Sequence, residues 1–188
     1  MPRLPEIVET PRLTLRVWRL GDAPALSRAV ATSAAHLRPW MPWADGSMTA
    51  AQYEEFITER RERWAEGGEA VYGVFAGDAV VGGTGLHTRR GPGILEIGYW
   101  IHVEHVGRGY ATESAGALTD VAFTVDGIER VEIHHDRAND RSRAVPERLG
   151  FTFDGETTEE PRAPAEAGFN WTWAVQRSAW LGRSRRTP

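Results

Sequence analysis

The chain contains no cysteine. Disulfides, thiolate metal sites and a cysteine acyl-enzyme are excluded, and a reducing compartment fits. Lysine is absent too: all 22 basic residues are arginine. A Walker-type phosphate loop requires its lysine, so a P-loop nucleotidase is excluded. Basic charge is not in excess either. The 26 acidic residues bring the net charge to -4 and the pI to about 5.9, and nothing in that balance points to a nucleic acid partner. Apolar runs are short. No window approaches the ~18 apolar residues of a membrane span, and the opening MPRLPEIVETPRL has no apolar run of signal-peptide length. The expected compartment is the cytoplasm, with no membrane partner.

What is present is the composition of an ordinary globular protein: 188 residues, 41% hydrophobic and 26% charged, with 20 glycines and 11 prolines. That length buries a core without a metal or disulfide staple. No repeat or low-complexity linker divides the chain, so residues 1–188 are read as one domain with a flexible tail over 178–188, its end basic at Arg183, Arg185 and Arg186.

Hydrophobic periodicity gives the element order. Leu13, Leu15 and Val17 alternate with Thr14, Arg16 and Trp18 as in a half-buried strand. A helix capped by Asp22, with Pro24 in its first turn, follows. The stretch 36–45, HLRPWMPWAD, is irregular. Thr49 and Gln52 fit a capping box and Met48 with Tyr53 the accompanying staple, which predicts a helix over 50–66 carrying Tyr53, Phe56, Ile57 and Trp64. Strand-like runs over 70–76, 79–87 and 94–103 are separated by the turn residues Gly77-Asp78 and Arg90 to Gly93, as antiparallel neighbours would be. Ala111, Ala115, Leu118, Ala122 and Val125 then form a helical stripe. Strands at 128–134, 151–154 and 169–176, and a short helix over 140–149 closed by Gly150, complete the set. Antiparallel strands followed by a strand-helix-strand unit predict a mixed α/β sheet, largely antiparallel and flanked by helices.

The most informative segment is Val106-Gly107-Arg108-Gly109-Tyr110-Ala111-Thr112, which joins a strand directly to a helix. Up to four amides at a helix N-terminus lack intrahelical partners, and glycines at 107 and 109 let a phosphate approach them. A plain turn has the same composition. A Rossmann fingerprint would place a third glycine at Thr112 and would follow an early parallel strand, so a dinucleotide fold is disfavoured. A second constellation runs from Asn139 through Ser142, Val145, Glu147 and Gly150 to Phe151.

Together these two segments resemble the GNAT acetyltransferase superfamily, whose motifs read Q/R-x-x-G-x-G/A and N-x-x-S-x-x-V-x-E-x-L-G-F. ETPRLTLR at 9–16, LRPWMPW at 37–43, EIGYWIHVEHVGRGYATES at 96–114 and RVEIHHDRANDRSRAVPERLGF at 130–151 resemble, in that order, the RimJ/RimL branch of N-terminal protein acetyltransferases. Two positions depart from the pattern. Val106 stands where glutamine or arginine is usual, keeping the amide but not the side chain, and Pro146 lies inside the expected helix, where it removes one hydrogen bond and would kink the segment near Ser142.

The resemblance implies direct acetyl transfer from acetyl-CoA to an amine, without a covalent enzyme intermediate and without a metal. The thioester would lie between two parallel strands that splay apart, with Gly98 marking a bulge at the start of the splay. Ile101, His102 and Val103 would pair with the pantetheine arm through their backbone and polarise the carbonyl. Gly107, Arg108, Gly109, Tyr110, Ala111 and Thr112 would hold the pyrophosphate, and Asn139 would contact the cofactor or cap its helix. Glu96 is the candidate base, or else a structural carboxylate paired with arginine. Ser142 is the candidate donor to the departing sulfur, or else a backbone contact. Trp40 and Trp43 would line the acceptor pocket or close a core. Adjacent His134 and His135 point to opposite faces of a strand and make no metal pair. The expected acceptor is a protein or peptide N-terminal α-amine, a ribosomal protein among the candidates, and a homodimer is compatible with the family. The rivals are a small-molecule amine acetyltransferase and a non-catalytic acyl-CoA-binding sensor.

Overall fold

A computed structural model describes residues 3–183. Its frame is one eight-stranded sheet in the order β1-β2-β3-β4-β5-β6-β8-β7. The strands are β1 (Ile7–Glu9), β2 (Thr14–Val17), β3 (Ala70–Ala76), β4 (Ala79–His87), β5 (Ile94–Ile101), β6 (Arg130–Asp136), β7 (Thr152–Thr158) and β8 (Phe169–Gln176). Every pairing is antiparallel except β5 with β6. Five helices accompany the sheet: α1 (Ala23–Leu37), α2 (Ala50–Glu66), α3 (Tyr110–Ala122), α4 (Asp140–Leu149) and α5 (Arg177–Arg183). This is the expected mixed α/β architecture. β1 escaped the sequence reading because three residues carry too little pattern.

Apolar residues are buried on both faces of the sheet. On one, Leu26 and Val30 of α1 and Tyr53 and Ile57 of α2 cluster with Trp18 and Phe75. On the other, α3 places Ala115, Leu118 and Ala122 against Leu15, Val74, Leu95, Ile97 and Val131. β2 alternates as expected, with Leu15 and Val17 buried and Thr14 and Arg16 half-buried; Trp18, just past its end, is the exception at only 2% exposed. The capping box forms as read, with Gln52 N donating to Thr49 Oγ1 at 3.3 Å and Thr49 N to Gln52 Oε1 at 2.9 Å. Asp22 does sit before α1, but its carboxylate makes no cap. It instead accepts from Arg16 Nη1 at 2.6 Å and Nη2 at 2.9 Å, a fork-to-fork pair stronger than a single amide contact.

The expected loose tail is a helix as far as Arg183. Trp180 packs edge-on against Phe151 with ring centroids 6.1 Å apart and donates to Asp120 Oδ1 at 2.7 Å, tying α5 down. Arg177, its first residue, donates to the carbonyls of Phe123, Val125 and Ile128, which follow the end of α3. Arg185 and Arg186 lie outside the described residues.

The feature that positions the site is the parallel pair. Ile94 to Ile97 are in register with Arg130 to Ile133, and the pairing stops there. Both strands run on, β5 to Ile101 and β6 to Asp136, so the sheet opens into a fork. Gly98 is the first residue past the last pair, but it makes no bulge: its register with Gly85 of β4 is continuous with its neighbours'. The opening comes from loss of the β6 partner alone.

Candidate active site

After β5 the chain makes a single 3-10 turn at Val103–His105 and reaches α3 through residues 106–109. Gly109 is the residue before the helix, at φ +79°, and offers no side chain to the first-turn amides. Gly107 is at φ +76°, and a Cβ built on it would meet nothing within 4 Å. Glycine at 107 therefore serves backbone conformation and open access.

Arg12 braces this turn, a role that sequence reasoning missed although the residue lies in the ETPRLTLR string. Its Nη1 donates to the Arg108 carbonyl at 2.9 Å and its Nε to Glu113 Oε2 at 2.6 Å. Burial pushes the Glu113 carboxyl up, but hydrogen bonds from Thr10 and Arg12 overcome it and hold the group below its ordinary value. The acidic residue in the first turn is thus charge-paired rather than aimed at an incoming anion. Arg12, Arg108, Arg141 and Arg148 line one open cleft of about 1030 Å³ with Gly107, Gly109, Tyr110, Ala111 and Thr112.

The fork contributes main-chain donors, though not all those expected. His102 N donates to Val81 O at 2.9 Å and Val103 N to Ser33 Oγ at 3.1 Å, so both amides are engaged within the protein. Neither residue lines the cleft. Successive N–H groups alternate sides along a strand. The His102 bond to β4 therefore directs the Tyr99 and Ile101 amides toward the β6 side, where pairing has ended. Of the expected trio Ile101 remains, and Tyr99 replaces the other two.

Across the cleft α4 is preceded by Asn139, whose Oδ1 accepts from Ser142 N at 3.1 Å. Asn139 caps the helix and lines the cleft as well. The Ser142 hydroxyl faces Tyr99, with Oγ 3.0 Å from the phenol oxygen. Tyr99 also donates to the Ser142 carbonyl at 3.1 Å. That carbonyl is the one Pro146, four residues on, has no N–H to serve. The helix runs unbroken from 140 to 149. The missing helical bond is replaced by a tyrosine that holds Ser142 in place. Burial keeps the Tyr99 phenol protonated by raising its pKa far above the ordinary range.

On the α1 and α2 side, Trp40 lines the cleft but Trp43 does not. Trp43 is 48% exposed and stands edge-on to Trp100, centroids 6.4 Å apart. Glu96 also lies outside the cleft lining. It is buried and accepts from Arg89 Nε at 3.0 Å, from Arg89 Nη2, and from Arg90 Nε at 2.5 Å. Burial alone would raise its pKa. The hydrogen bond and charge of Arg89, with the charges of His134 and Arg90, outweigh that and bring it down to about 2. So placed, Glu96 is a poor proton acceptor. Its register partner Glu132 accepts from Arg130 Nε at 2.6 Å and pairs with His134 Nε2 at 2.7 Å. His135, on the other face, accepts at Nε2 from Trp173 Nε1 at 3.0 Å. Among the described residues no group of three His, Asp or Glu is placed to hold a metal ion, and no helix is long and apolar enough to cross a membrane.

Comparison with known proteins agrees with this geometry. Residues 12–152 match the model of the acetyltransferase (GNAT) domain family. A Bacillus subtilis (strain 168) protein named "Putative ribosomal N-acetyltransferase YdaF" is 30% identical over 153 residues, 78% of this chain and 81% of that protein. Among solved structures, the ribosomal L7/L12 alpha-N-protein acetyltransferase RimL, in complex with coenzyme A, superposes with a TM-score of 0.82 at 21% identity, over 91% of this chain and 98% of that one. The microcin C7 self-immunity acetyltransferase MccE, with acetyl-CoA and AMP, gives 0.80 at 17%, over 89% and 93%. At those identities the two structures carry the fold alone. The family match spans the turn, the fork and the start of α4, and the chain belongs to the GNAT acetyltransferases.

Proposed function

We propose that this chain is an acetyl-CoA-dependent N-acetyltransferase of the RimJ/RimL kind, with residues 1–188 as one domain, and that its acceptor is a protein or peptide N-terminal α-amine. The observation that carries the reading is the fork. β5 and β6 part after Ile97 and Ile133, beside a glycine turn at a helix N-terminus and in a cleft with four arginines. A diphosphate fits the turn, because Gly107 leaves open space over it and arginine supplies the opposite charge. An extended acyl-pantetheine arm fits the edge of β5, where the Tyr99 and Ile101 amides act as strand donors.

Three tasks then fall to the chain. The Tyr99 and Ile101 amides orient the arm and polarise the thioester carbonyl. Ser142, fixed by Tyr99 and Asn139, supplies a proton at Oγ to the departing sulfur. Trp40 borders the acceptor's entry. Glu96 is given no proton to move, because two guanidiniums already hold its carboxylate. An α-amine suits a site with modest base power: with a pKa of about 7.7 to 8.0, roughly one part in ten is neutral at pH 7, against less than one in a thousand for a lysine amine.

The ribosomal name of the B. subtilis relative and the N-terminal substrate in the name of RimL favour a protein acceptor. MccE, which shares the fold, favours a second reading in which a small-molecule amine is the acceptor. The reaction would take place in the cytoplasm with no nucleic acid or membrane partner, and a homodimer is compatible with it. The test is release of free thiol from acetyl-CoA over a panel of N-terminal peptides and small amines, with mass spectrometry of the products. Acetylation of peptide α-amines supports the first reading and of small amines alone the second. Cofactor binding without turnover on any amine would leave a sensor module.

A further inference from the structure

With Glu96 neutralised by arginine, the transfer reading above assigns no group to the amine proton; His36 and His105 line the cleft, and beside the point where β5 and β6 part the titratable side chains are few. Glu132 is held by Arg130 and His134. His134 is occupied at both nitrogens, Nε2 by Glu132 at 2.7 Å and Nδ1 by Thr172 Oγ1 at 3.2 Å. His87, the last residue of β4 and the register partner of Glu96, differs. Its Nδ1 lies 2.5 Å from Glu69 Oε1, and its Nε2 has no hydrogen-bond partner among the described residues.

That free nitrogen has a definite position. It lies 3.0 Å from where a Cβ on Gly85 would stand and 3.6 Å from one on Gly98. Gly98 is the first residue beyond the last β5–β6 pair. Two glycines thus clear the sheet surface beneath the ring, and Nε2 stands over the point where the fork opens. The His87 side chain is partly exposed, and like Glu96 it stands beside the fork rather than in the lining of the cleft.

We propose that His87 is the proton acceptor for the amine and that Glu69 is its positioning residue. The proposal rests on the transfer reading. Glu69, as a carboxylate, accepts from Nδ1–H, which fixes the tautomer that leaves the lone pair on Nε2. The hydrogen bond from His87, together with the charges of Arg60 and Arg63, keeps Glu69 ionised against the effect of its burial. An ammonium gives one proton to Nε2. The freed lone pair then forms the C–N bond as the C–S bond breaks, and the second proton lost by nitrogen balances the one taken by sulfur. Charged groups near the ring are Glu69 with Arg60 and Arg63 on the α2 side, and Glu96 with Arg89, Arg90 and His134 on the β5 and β6 side.

The test is His87→Gln, assayed at pH 7 and pH 9 beside the wild type, with coenzyme A affinity measured by calorimetry. Loss of a general base predicts kcat about a hundredfold lower at pH 7. Affinity should hold within about threefold, and the deficit should shrink below about tenfold at pH 9, where the α-amine is already neutral. Glu69→Gln should show the same pattern at smaller amplitude. Wild-type turnover that His87→Gln leaves unchanged, or lowers equally at both pH values, overturns the proposal and leaves the transfer reading standing. Absence of turnover by the wild type on every amine would sink the transfer reading itself. Should His87→Gln fail to take up coenzyme A, Glu69→Gln decides: a deficit confined to pH 7 supports the proposal and no deficit overturns it.

Discussion

On the α3 and α4 side of the fork, most groups aimed at a ligand are main-chain: the amides of the 106–112 turn and those of Tyr99 and Ile101. On the α1 and α2 side the titratable groups beside the fork are side chains, His87, Glu96, Glu132 and His134, brought together from three strands. The first kind of site depends on conformation, and a substitution harms it by altering φ or filling space. The second depends on pairing, since each carboxylate there is held by an arginine or a histidine, and a substitution harms it by stranding a partner. The two sides should therefore break in different ways.

Gly109→Glu is the severest test of the conformational side. Its φ of +79° disfavours any side chain, and a new carboxylate would repel phosphate. Coenzyme A affinity should fall at least about a thousandfold, roughly 4 kcal/mol, by calorimetry. Retained affinity would remove the diphosphate from this turn. Glu96→Gln tests the pairing side and should cost stability rather than cofactor affinity. The folded pKa of Glu96 is about 2 against an ordinary 4.5. Its stabilisation is therefore present above pH 4.5 and lost as pH falls toward 2, and amounts to about 3 kcal/mol at neutral pH. Guanidinium melts should show the wild type ahead by about that much at pH 7, with the gap reduced to about half by pH 3 and closing only below pH 2. A gap independent of pH would mean that ionisation of Glu96 contributes nothing.

The same contrast explains what could be read in the sequence. The conformational side is legible because glycine before a helix and asparagine three residues before serine are local signals, and every strand but β1 lies within a few residues of an apolar run bounded by turn residues. What stayed hidden depends on contacts across distant segments. Arg12 reaches Glu113 from 101 positions away. Tyr99 meets Ser142 across 43. Glu69 meets His87 across 18, and nothing in a strand ending at His87 distinguishes its imidazole from one facing solvent. Val103 looked available as a donor because the hydroxyl that takes its amide, on Ser33, belongs to α1. The helix over 177–183 was missed because its anchor is the packing of Trp180 on Phe151 rather than any stripe of its own.

Ser142 joins the two modes, because a main-chain feature and a side chain fix it together. Ser142→Ala should lower turnover about a hundredfold while leaving coenzyme A affinity within about threefold, if Oγ delivers the proton to sulfur. Equal turnover would make the hydroxyl dispensable.

Tyr99→Phe should have the smallest effect and the most specific signature. It removes the donor to the Ser142 carbonyl at 3.1 Å and the contact to Oγ at 3.0 Å. A buried carbonyl without a donor costs about 1 kcal/mol or somewhat more, and a freely turning serine hydroxyl should slow turnover about tenfold. The carbonyl is open to Tyr99 only because Pro146 has no N–H. Pro146→Ala restores that N–H and with it the ordinary helical bond. In the Pro146→Ala background, Tyr99→Phe should therefore cost markedly less stability than in the wild type, a coupling of about 1 kcal/mol in a double-mutant cycle read by guanidinium melts. The turnover penalty should persist, because Oγ still loses its phenol partner. Additive stabilities would show that the proline and the tyrosine act independently, and that the missing helical hydrogen bond is tolerated rather than used to hold Ser142.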